Sequence, residues 1–510
     1  QRATMCHIEV ASRLMATELR VPTAEDHRFL GQPVGLATLF STELWERFSY
    51  YGMRAILVLY LVAPTENGGL GMSTAEAVGI YGVYSAMVWL LAVPGGWLSD
   101  RLWGPRKTVL IGAFIIAGGH YVLAVPTSWA IWPGLACVAL GTGFLKPNIS
   151  AMVGGLYDED SDEGERRDAG FSIYYMGINI GGFIAPFVCG YLGQEIGWHV
   201  GFAAAGIGMT VALLVYVLLA PRTLGPIGKR VPNPAERALL RKVFTITGVG
   251  LAICAILAII DVALGTFDSK HVIWFLSAVT IATPFIYFTR IFRNKSLSPI
   301  EVSRMRAYIW IFVGAVMFWM IFDQGGSILN LFAENNTSRY IGDFQFPASW
   351  LQSVDPIGII IFAPVFAYLW IKLGKRAPSL PAKFAIAIFL IGFSFFVMSY
   401  LGKVSSGGTL VAWEWLVLVF FIQVIAELLL SPTGLSASTQ LAPRGMESQV
   451  LALWFLATAV GDAIGGLLAG LQEPLGNAGY FALLGLGAVI VAAIFATQVK
   501  KISKLMSGVH

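Results

Sequence analysis

The string ELWERFSYYGMR, from Glu43 to Arg54, sets acids, bases and tyrosines into the middle of an apolar stretch. Glu43, Glu46, Arg47, Tyr50 and Arg54 follow one another at steps of three, one, three and four residues, which aligns them along one stripe of an α-helix. Each ionisable group would cost about 2.5 to 3.5 kcal/mol at mid-bilayer, so the stripe must face protein or water. Other charges sit in similar surroundings: Lys146 beside Pro147, Asp323 before Gln324-Gly325-Gly326, Asp355 in SVDPIG, and Glu427 before Ser431-Pro432-Thr433-Gly434. The five acids and three bases of this set would nominally cost about 20 to 28 kcal/mol against lipid, more than the roughly 5 to 15 kcal/mol that holds a whole domain together. These costs do not add strictly, but the groups must be paired, hydrated or protonated. A surplus of acid in one cavity can hold protons, because neighbouring carboxylates oppose one another's ionisation. Static interhelical salt bridges are the plainer alternative, though buried pairs of that kind stabilise weakly.

The elements that must position these groups are membrane helices. The chain has 510 residues, 56% hydrophobic and 13% charged, with a mean hydropathy of +0.71. That composition describes a polytopic membrane protein rather than a soluble enzyme. Apolar runs predict spans near 37–62, 75–99, 107–125, 132–156, 169–192, 200–220, 241–263, 271–292, 306–332, 349–371, 382–401, 411–432, 448–470 and 478–498, fourteen in all. The connections around Arg101 to Lys107, Lys229 to Lys242, Arg290 to Arg306, Lys372 to Lys383 and Lys500 to Lys504 hold most of the basic residues, and all fall on one side. The positive-inside rule then puts both termini in the cytoplasm, and the chain is expected to be integral to the cytoplasmic (inner) membrane. The acidic loop YDEDSDEGERRD also falls on that side, where acids count for little.

The spans divide as six, two and six. The expected organisation is a leader over 1–35, a six-helix bundle over 36–221, linkers and an inserted hairpin over 222–304, a second six-helix bundle over 305–500 and a tail over 501–510. Residues 1–30 lack the apolar core of a signal peptide. Two bundles around a central site form a transporter architecture, and matching spans of the two halves carry both the buried charges and the helix breakers. Proline there removes a backbone donor, which is tolerated where the backbone lines a cavity. Other chemistries are disfavoured. A net charge of +4 is too weak to suggest a nucleic-acid partner. Cys6, Cys137, Cys189 and Cys254 show no metal spacing and read as reduced packing residues, while His120, His199 and His271 are scattered, so no metal site is expected. No G-x-S-x-G or Walker-type loop occurs, so neither hydrolysis nor ATP-driven transport is expected and the chain reads as no enzyme. The glycosylation triplets at Asn335 and Asn336 read as idle matches.

Several strings carry a resemblance. GGWLSDRLWGPRK at 95–107 resembles the loop signature of the major facilitator superfamily, where acid and basic residues at helix ends pair across bundle halves. ELWERFSYYG, GTGFLKPNIS (Gly141 to Ser150), RRDAGFSIYYMGINIGG (Arg166 to Gly182) and ELLLSPTGLS (Glu427 to Ser436) together resemble the proton-dependent oligopeptide transporter family, its bacterial type with two inserted helices, over residues 35 to 505. The resemblance implies an all-α major facilitator fold and proton-driven import of di- and tripeptides by alternating access, with protons as the coupling ion, no other cofactor, and a monomer.

It also implies roles. Glu43 and Glu46 would accept protons, with Arg47 tuning them and contacting the peptide carboxylate; Lys146 would pair with this motif and, in another state, with Glu427. Asp323 completes the expected proton-coupling set, and Arg54 with Asp323 matches an outer gate. Asn179 and Glu427 would hold the peptide's amino terminus, while Tyr50, Tyr51, Ser431, Trp319 and Trp454 would line the pocket. Three positions depart from the family pattern: Trp89 replaces a pocket tyrosine, Asp355 replaces an asparagine, and Asp323 is shorter than the usual glutamate. Trp89 and Asp355 keep open a same-fold transporter of nitrate, a peptidomimetic or an amino acid conjugate. A non-transporting nutrient receptor and a channel are further alternatives; a channel is expected to carry a ring of like residues instead of complementary halves.

Overall fold

The computed structural model describes residues 27–157 and 164–508. Most of the leader, with Cys6, the centre of the acidic loop and the last two residues lie outside the described residues. Long helices carry the fold. We number them α1 Val34–Val62, α2 Thr74–Leu90, α3 Pro105–Leu123, α4 Ile131–Gly154, α5 Gly164–Ala185, α6 Trp198–Thr223, α7 Arg237–Ala263, α8 Ser269–Phe292, α9 Pro299–Phe322, α10 Val354–Leu373, α11 Leu380–Ser405, α12 Trp413–Gln440, α13 Glu447–Leu468 and α14 Gln472–Leu505. Each expected span falls on one of them.

Eleven helical stretches among the described residues are long and apolar enough to cross a membrane, against the fourteen spans expected. The shortfall has physical sources. The charge stripe itself raises the polarity of Val34–Val62, Pro105–Leu123 opens on Arg106 and Lys107, and Glu447–Leu505 counts once although Gly476, at φ +64°, breaks it. The chain is also not purely helical. Thr337–Ser338 pairs in parallel with Val411–Ala412, and Tyr340–Ile341 pairs antiparallel with Phe344–Gln345 through a Gly342-Asp343 turn.

Apart from the seam helices α2 and α13, helices α1–α6 pack mainly among themselves, with α1 against α5 and α6 and α3 against α4; α9–α14 do the same, with α14 against α11. The halves meet along α2 with α13 and α5 with α10, an equivalent pairing on each side. This is a major-facilitator-like helical bundle. Hydrogen bonds between the halves gather on the face opposite the basic loops: Asn330 donates to the Ala55 carbonyl at 2.8 Å, Ser353 to Phe183 at 2.9 Å and Gln194 to Glu334 at 3.0 Å. That face is closed.

Small residues set the closest approaches. On α5, a Cβ on Gly181 would collide with the Leu44 carbonyl of α1, and one on Gly177 would meet the Phe40 ring at 2.7 Å. On α2, a Cβ on Gly82 would lie 2.7 Å from the Asp462 carbonyl and 2.7 Å from the Gly466 Cα. Backbone cannot step aside as a side chain can. Gly82→Ala is therefore expected to destabilise the closed bundle by about 1–3 kcal/mol, read as a lower thermal unfolding midpoint in detergent; an unchanged midpoint would show that α2 and α13 separate freely.

The inserted pair differs from a hairpin isolated by free linkers. α7 has no buried residue and exposes Cys254, which is not a packing residue, whereas α8 docks on α2 and α13. The preceding linker is pinned: Arg106 N donates to the Gly228 carbonyl at 2.9 Å, Asn233 N to Asp100 at 2.9 Å and Ala235 N to Arg101 at 3.0 Å. Arg106 and Arg101 side chains likewise donate to the carbonyls of Gly225 and Asn233. The 95–107 loop thus grips the linker through the linker's backbone groups, and its charges form no ion pair across the halves among the described residues.

Candidate functional site

The charged stripe of α1 is buried as the helical spacing requires. Arg47 donates to both Glu46 oxygens, with Nη2 to Oε1 at 2.7 Å, and its Nε lies 3.4 Å from Glu43 Oε1. The guanidinium sits 4.8 Å from the Tyr50 ring centroid. A two-point guanidinium–carboxylate pair is geometrically specific and roughly twice as strong as a neutral hydrogen bond. All three charged groups are almost wholly shielded from solvent, so the cluster carries one surplus acid in a place where water cannot screen it.

Lys146 is placed otherwise than the expected pairing with this motif. Among the described residues it has no carboxylate within ion-pair distance; its ammonium lies 3.6 Å from the Trp89 ring centroid. It stays within electrostatic range of Glu43, Glu46 and Arg47. Trp89 in turn stacks on Phe455 of α13, with centroids 5.7 Å apart and planes at 11°. The residue that departs from the family pattern therefore shelters the lysine and touches the opposite half. Pro147 helps deliver Lys146 there: it interrupts the α4 ladder, and Asn148 Nδ2 bonds the Phe144 carbonyl at 2.6 Å.

Towards the closed face, Arg54 Nη2 pairs with Asp323 Oδ1 at 3.0 Å, and its Nε meets the Tyr81 hydroxyl at 2.5 Å. Arg54 and Asp323 are thus paired across the halves. Asp323 reaches it because α9 stops there: Asp323–Gly326 is one 3-10 turn before a short helix resumes at Ile328. Gly326 leaves the room that Tyr81 and Arg54 occupy. Beside the gate, a crevice is lined by Tyr51, Arg54, Phe322, Gln352, Asp355 and Gln423.

The second half supplies acids and aromatics. Asp355 and Glu427 both lie within electrostatic range of Arg54 and Asp323. Asp355 Oδ1, Glu427 Oε2 and Trp319 Nε1 are buried without a hydrogen-bond partner among the described residues. Such atoms are costly unless a polar partner satisfies them. Asn179 spends its Nδ2 on the Tyr175 carbonyl at 2.9 Å, which leaves its side-chain oxygen to accept. Trp454 is buried with its ring over Gly434, and Ser431 lies one turn past Glu427, beside the Pro432 break.

The geometry adds residues that the sequence reading passed over. Asp462 on α13 accepts a hydrogen bond from Ser85 on α2 at 2.7 Å, joining the halves. Its signal was the one used for Glu43, a carboxylate inside an apolar span. Tyr81 carries no charge, and nothing in its local sequence marks it as a partner of Arg54.

Comparison with known proteins follows the same lines. The model of the POT family matches residues 106–480. A di-/tripeptide transporter of Lactococcus lactis subsp. cremoris is 40% identical over 494 residues, covering 94% of this chain and 98% of that protein. An uncharacterized transporter of Bacillus subtilis (strain 168) is 45% identical over 482 residues, covering 94% of this chain and 96% of that protein. The crystal structure of a peptide transporter POT in complex with sulfate superposes with a TM-score of 0.91 at 42% identity, over 96% of this chain and 98% of the other. That of a POT family transporter in complex with 5-aminolevulinic acid gives 0.89 at 35% identity, over 94% and 99%.

Proposed function

The chain belongs to the POT family, and from that premise we propose that it is a proton-coupled symporter importing di- and tripeptides by alternating access. It works as a monomer in the cytoplasmic membrane, with both termini and the basic loops in the cytoplasm and the closed face outward. Protons are the coupling ion, and no other cofactor takes part.

The observation that carries this reading is the division of charge between the halves. One half holds Arg47 and Lys146, able to meet a peptide carboxylate; the other holds Asp355 and Glu427 with unpartnered oxygens, able to meet its ammonium. A zwitterion that engages both draws the halves together, and the Arg54–Asp323 gate seals the outer side. Glu43 and Glu46 share one guanidinium, and a proton on Glu46, which holds Arg47 at two points, frees Arg47 for substrate. Asn179 adds an acceptor for the ammonium, and Tyr50, Tyr51, Trp319, Ser431 and Trp454 shape the walls.

The energetics fit a single proton. About 100 mV contributes roughly 2.3 kcal/mol per charge and one pH unit about 1.36 kcal/mol. Together they would concentrate a neutral zwitterion a few hundredfold. The test is uptake of labelled dialanine into proteoliposomes under an imposed inward proton gradient, with competition by tripeptides, amino acids, nitrate and 5-aminolevulinic acid. Accumulation of dialanine that collapses with the gradient and is blocked by tripeptides supports the reading; no accumulation of dialanine, with gradient-driven uptake of one of the other solutes when that solute carries the label, overturns the peptide assignment. That second outcome would suit Trp89, whose bulk narrows the pocket between the halves.

Asp355 contributes through its charge. As a carboxylate it attracts the peptide ammonium, which the neutral asparagine does far less strongly. Asp355→Asn is expected to raise the KM for dialanine exchange by about 5- to 30-fold at pH 8, the cost of one charge-assisted hydrogen bond. An unchanged KM would place Asp355 outside the site.

A further inference from the structure

Asp462 is a buried acid that the mechanism above does not use. It is 5% exposed. Its Oδ2 accepts from Ser85 at 2.7 Å, no group donates to Oδ1 among the described residues, and the Asp323 carboxyl lies within hydrogen-bond reach of this acid. It shares a crevice with Val78, Tyr81, Gly82, Asp323 and Gln324. Arg54 is the cation of this region, and it is engaged by Asp323 and Tyr81; Asp462 has no cation within ion-pair distance among the described residues.

The groups facing Asp462 can be named. α1 offers Arg54 and Tyr50, α2 offers Ser85 and Tyr81, and the end of α9 offers Asp323. α12 carries Glu427 within its span, and α8 keeps its ionisable groups, Lys270, His271, Tyr287 and Arg290, near its two ends. One guanidinium therefore serves two neighbouring carboxylates. A second full charge, dry and unpaired, is strongly unfavourable, and a proton or the entry of water relieves it. Water enters only when α2 and α13 part. Asp462 stands at their closest approach, where Gly82 abuts the Asp462 carbonyl and Gly466. Its charge and the closure of this seam are therefore linked.

We propose that Asp462 is a further proton-binding residue of the outer gate, which must be protonated for α2 and α13 to close. The proton comes from hydronium at the outer face while the seam is open: an O–H bond of hydronium breaks, leaving water, as the O–H bond of the carboxylic acid forms, and the proton stays while the seam is shut. The inference rests on the proton-coupled reading, but its test reads conformation rather than transport.

Spin labels on cysteines placed at Glu66 and Glu473, exposed positions near the closed face on opposite halves, report the opening of that face by pulsed distance measurement in a cysteine-free background. In the parent, raising the pH from about 5.5 to about 8, across the range a perturbed buried acid can titrate, should populate a longer distance. Asp462→Asn, a neutral mimic of the protonated acid, should cut that open population at the higher pH by about tenfold. Ser85→Ala keeps the acid and should keep the pH response. A parent distance that does not change with pH, or an unchanged response in Asp462→Asn, overturns the inference. Loss of the response in Ser85→Ala with its retention in Asp462→Asn also overturns it, leaving the hydrogen bond as mere packing. Failure of dialanine uptake with the Asp462-dependent opening intact would sink the peptide reading and leave the gate.

Discussion

Glu46→Gln is expected to abolish proton-driven accumulation while leaving peptide exchange across equal solutions intact. Glu46 takes two hydrogen bonds from Arg47 inside a site closed to water, whereas Glu43 is held only by the longer contact at 3.4 Å. Glutamine keeps the shape of Glu46 but can neither lose nor gain the coupling proton. Exchange needs only the binding and reorientation of the loaded protein, which a neutral residue still permits. The full coupling of about 3.7 kcal/mol would then be lost, so the concentration ratio should fall from a few hundredfold to near unity. Proteoliposomes assayed for driven uptake and for counterflow separate the two processes. A variant that still accumulates dialanine against its gradient would remove Glu46 from the coupling path.

Lys146→Ala is expected to lower driven uptake by at least about thirtyfold, in line with roughly 2 kcal/mol for a lost charge-assisted contact. Lys146 has no carboxylate within ion-pair distance among the described residues and rests on the Trp89 face at 3.6 Å, so its ammonium can move to Glu43, Glu46 or a substrate carboxylate as they become free. A desolvated cation over an aromatic ring gains about 2 kcal/mol, enough to hold the charge without locking it. Trp89→Leu provides the companion measurement. It removes the resting place but not the cation, and should shift the pH dependence of uptake while sparing exchange. Wild-type kinetics in Lys146→Ala would reassign the lysine to a structural role.

Much of the architecture was legible because its rules are local. In lipid every backbone group must be bonded within its own helix, so apolar runs of about twenty residues convert directly into spans. Each span of the sequence falls on a helix, and charges within the spans were readable because lipid does not tolerate them. The same rule explains the exceptions. A helix such as α1 that faces a charged cavity falls short on apolar composition for the very reason that makes it functional. The inserted pair was read as isolated because its flanks are polar, yet Gly225, Gly228 and Asn233 offer carbonyls to the 95–107 loop, and composition does not report a backbone acceptor.

By itself the sequence determined the helices, the stripe from Glu43 to Arg54, and the complementary charges Lys146, Asp323, Asp355 and Glu427 in the two halves. Helical periodicity fixes a face from residue spacing alone, and the bilayer forbids that face from being idle. Which group touches which was decided by tertiary structure. Lys146 rests on Trp89, Arg54 reaches Asp323 and Tyr81 together, and Asp462 meets Ser85, 377 residues away. The physical reason is that spacing along one helix constrains only that helix. Contacts between the halves depend on how closely glycines such as Gly82 let two backbones approach, and on which conformation of the bundle is closed.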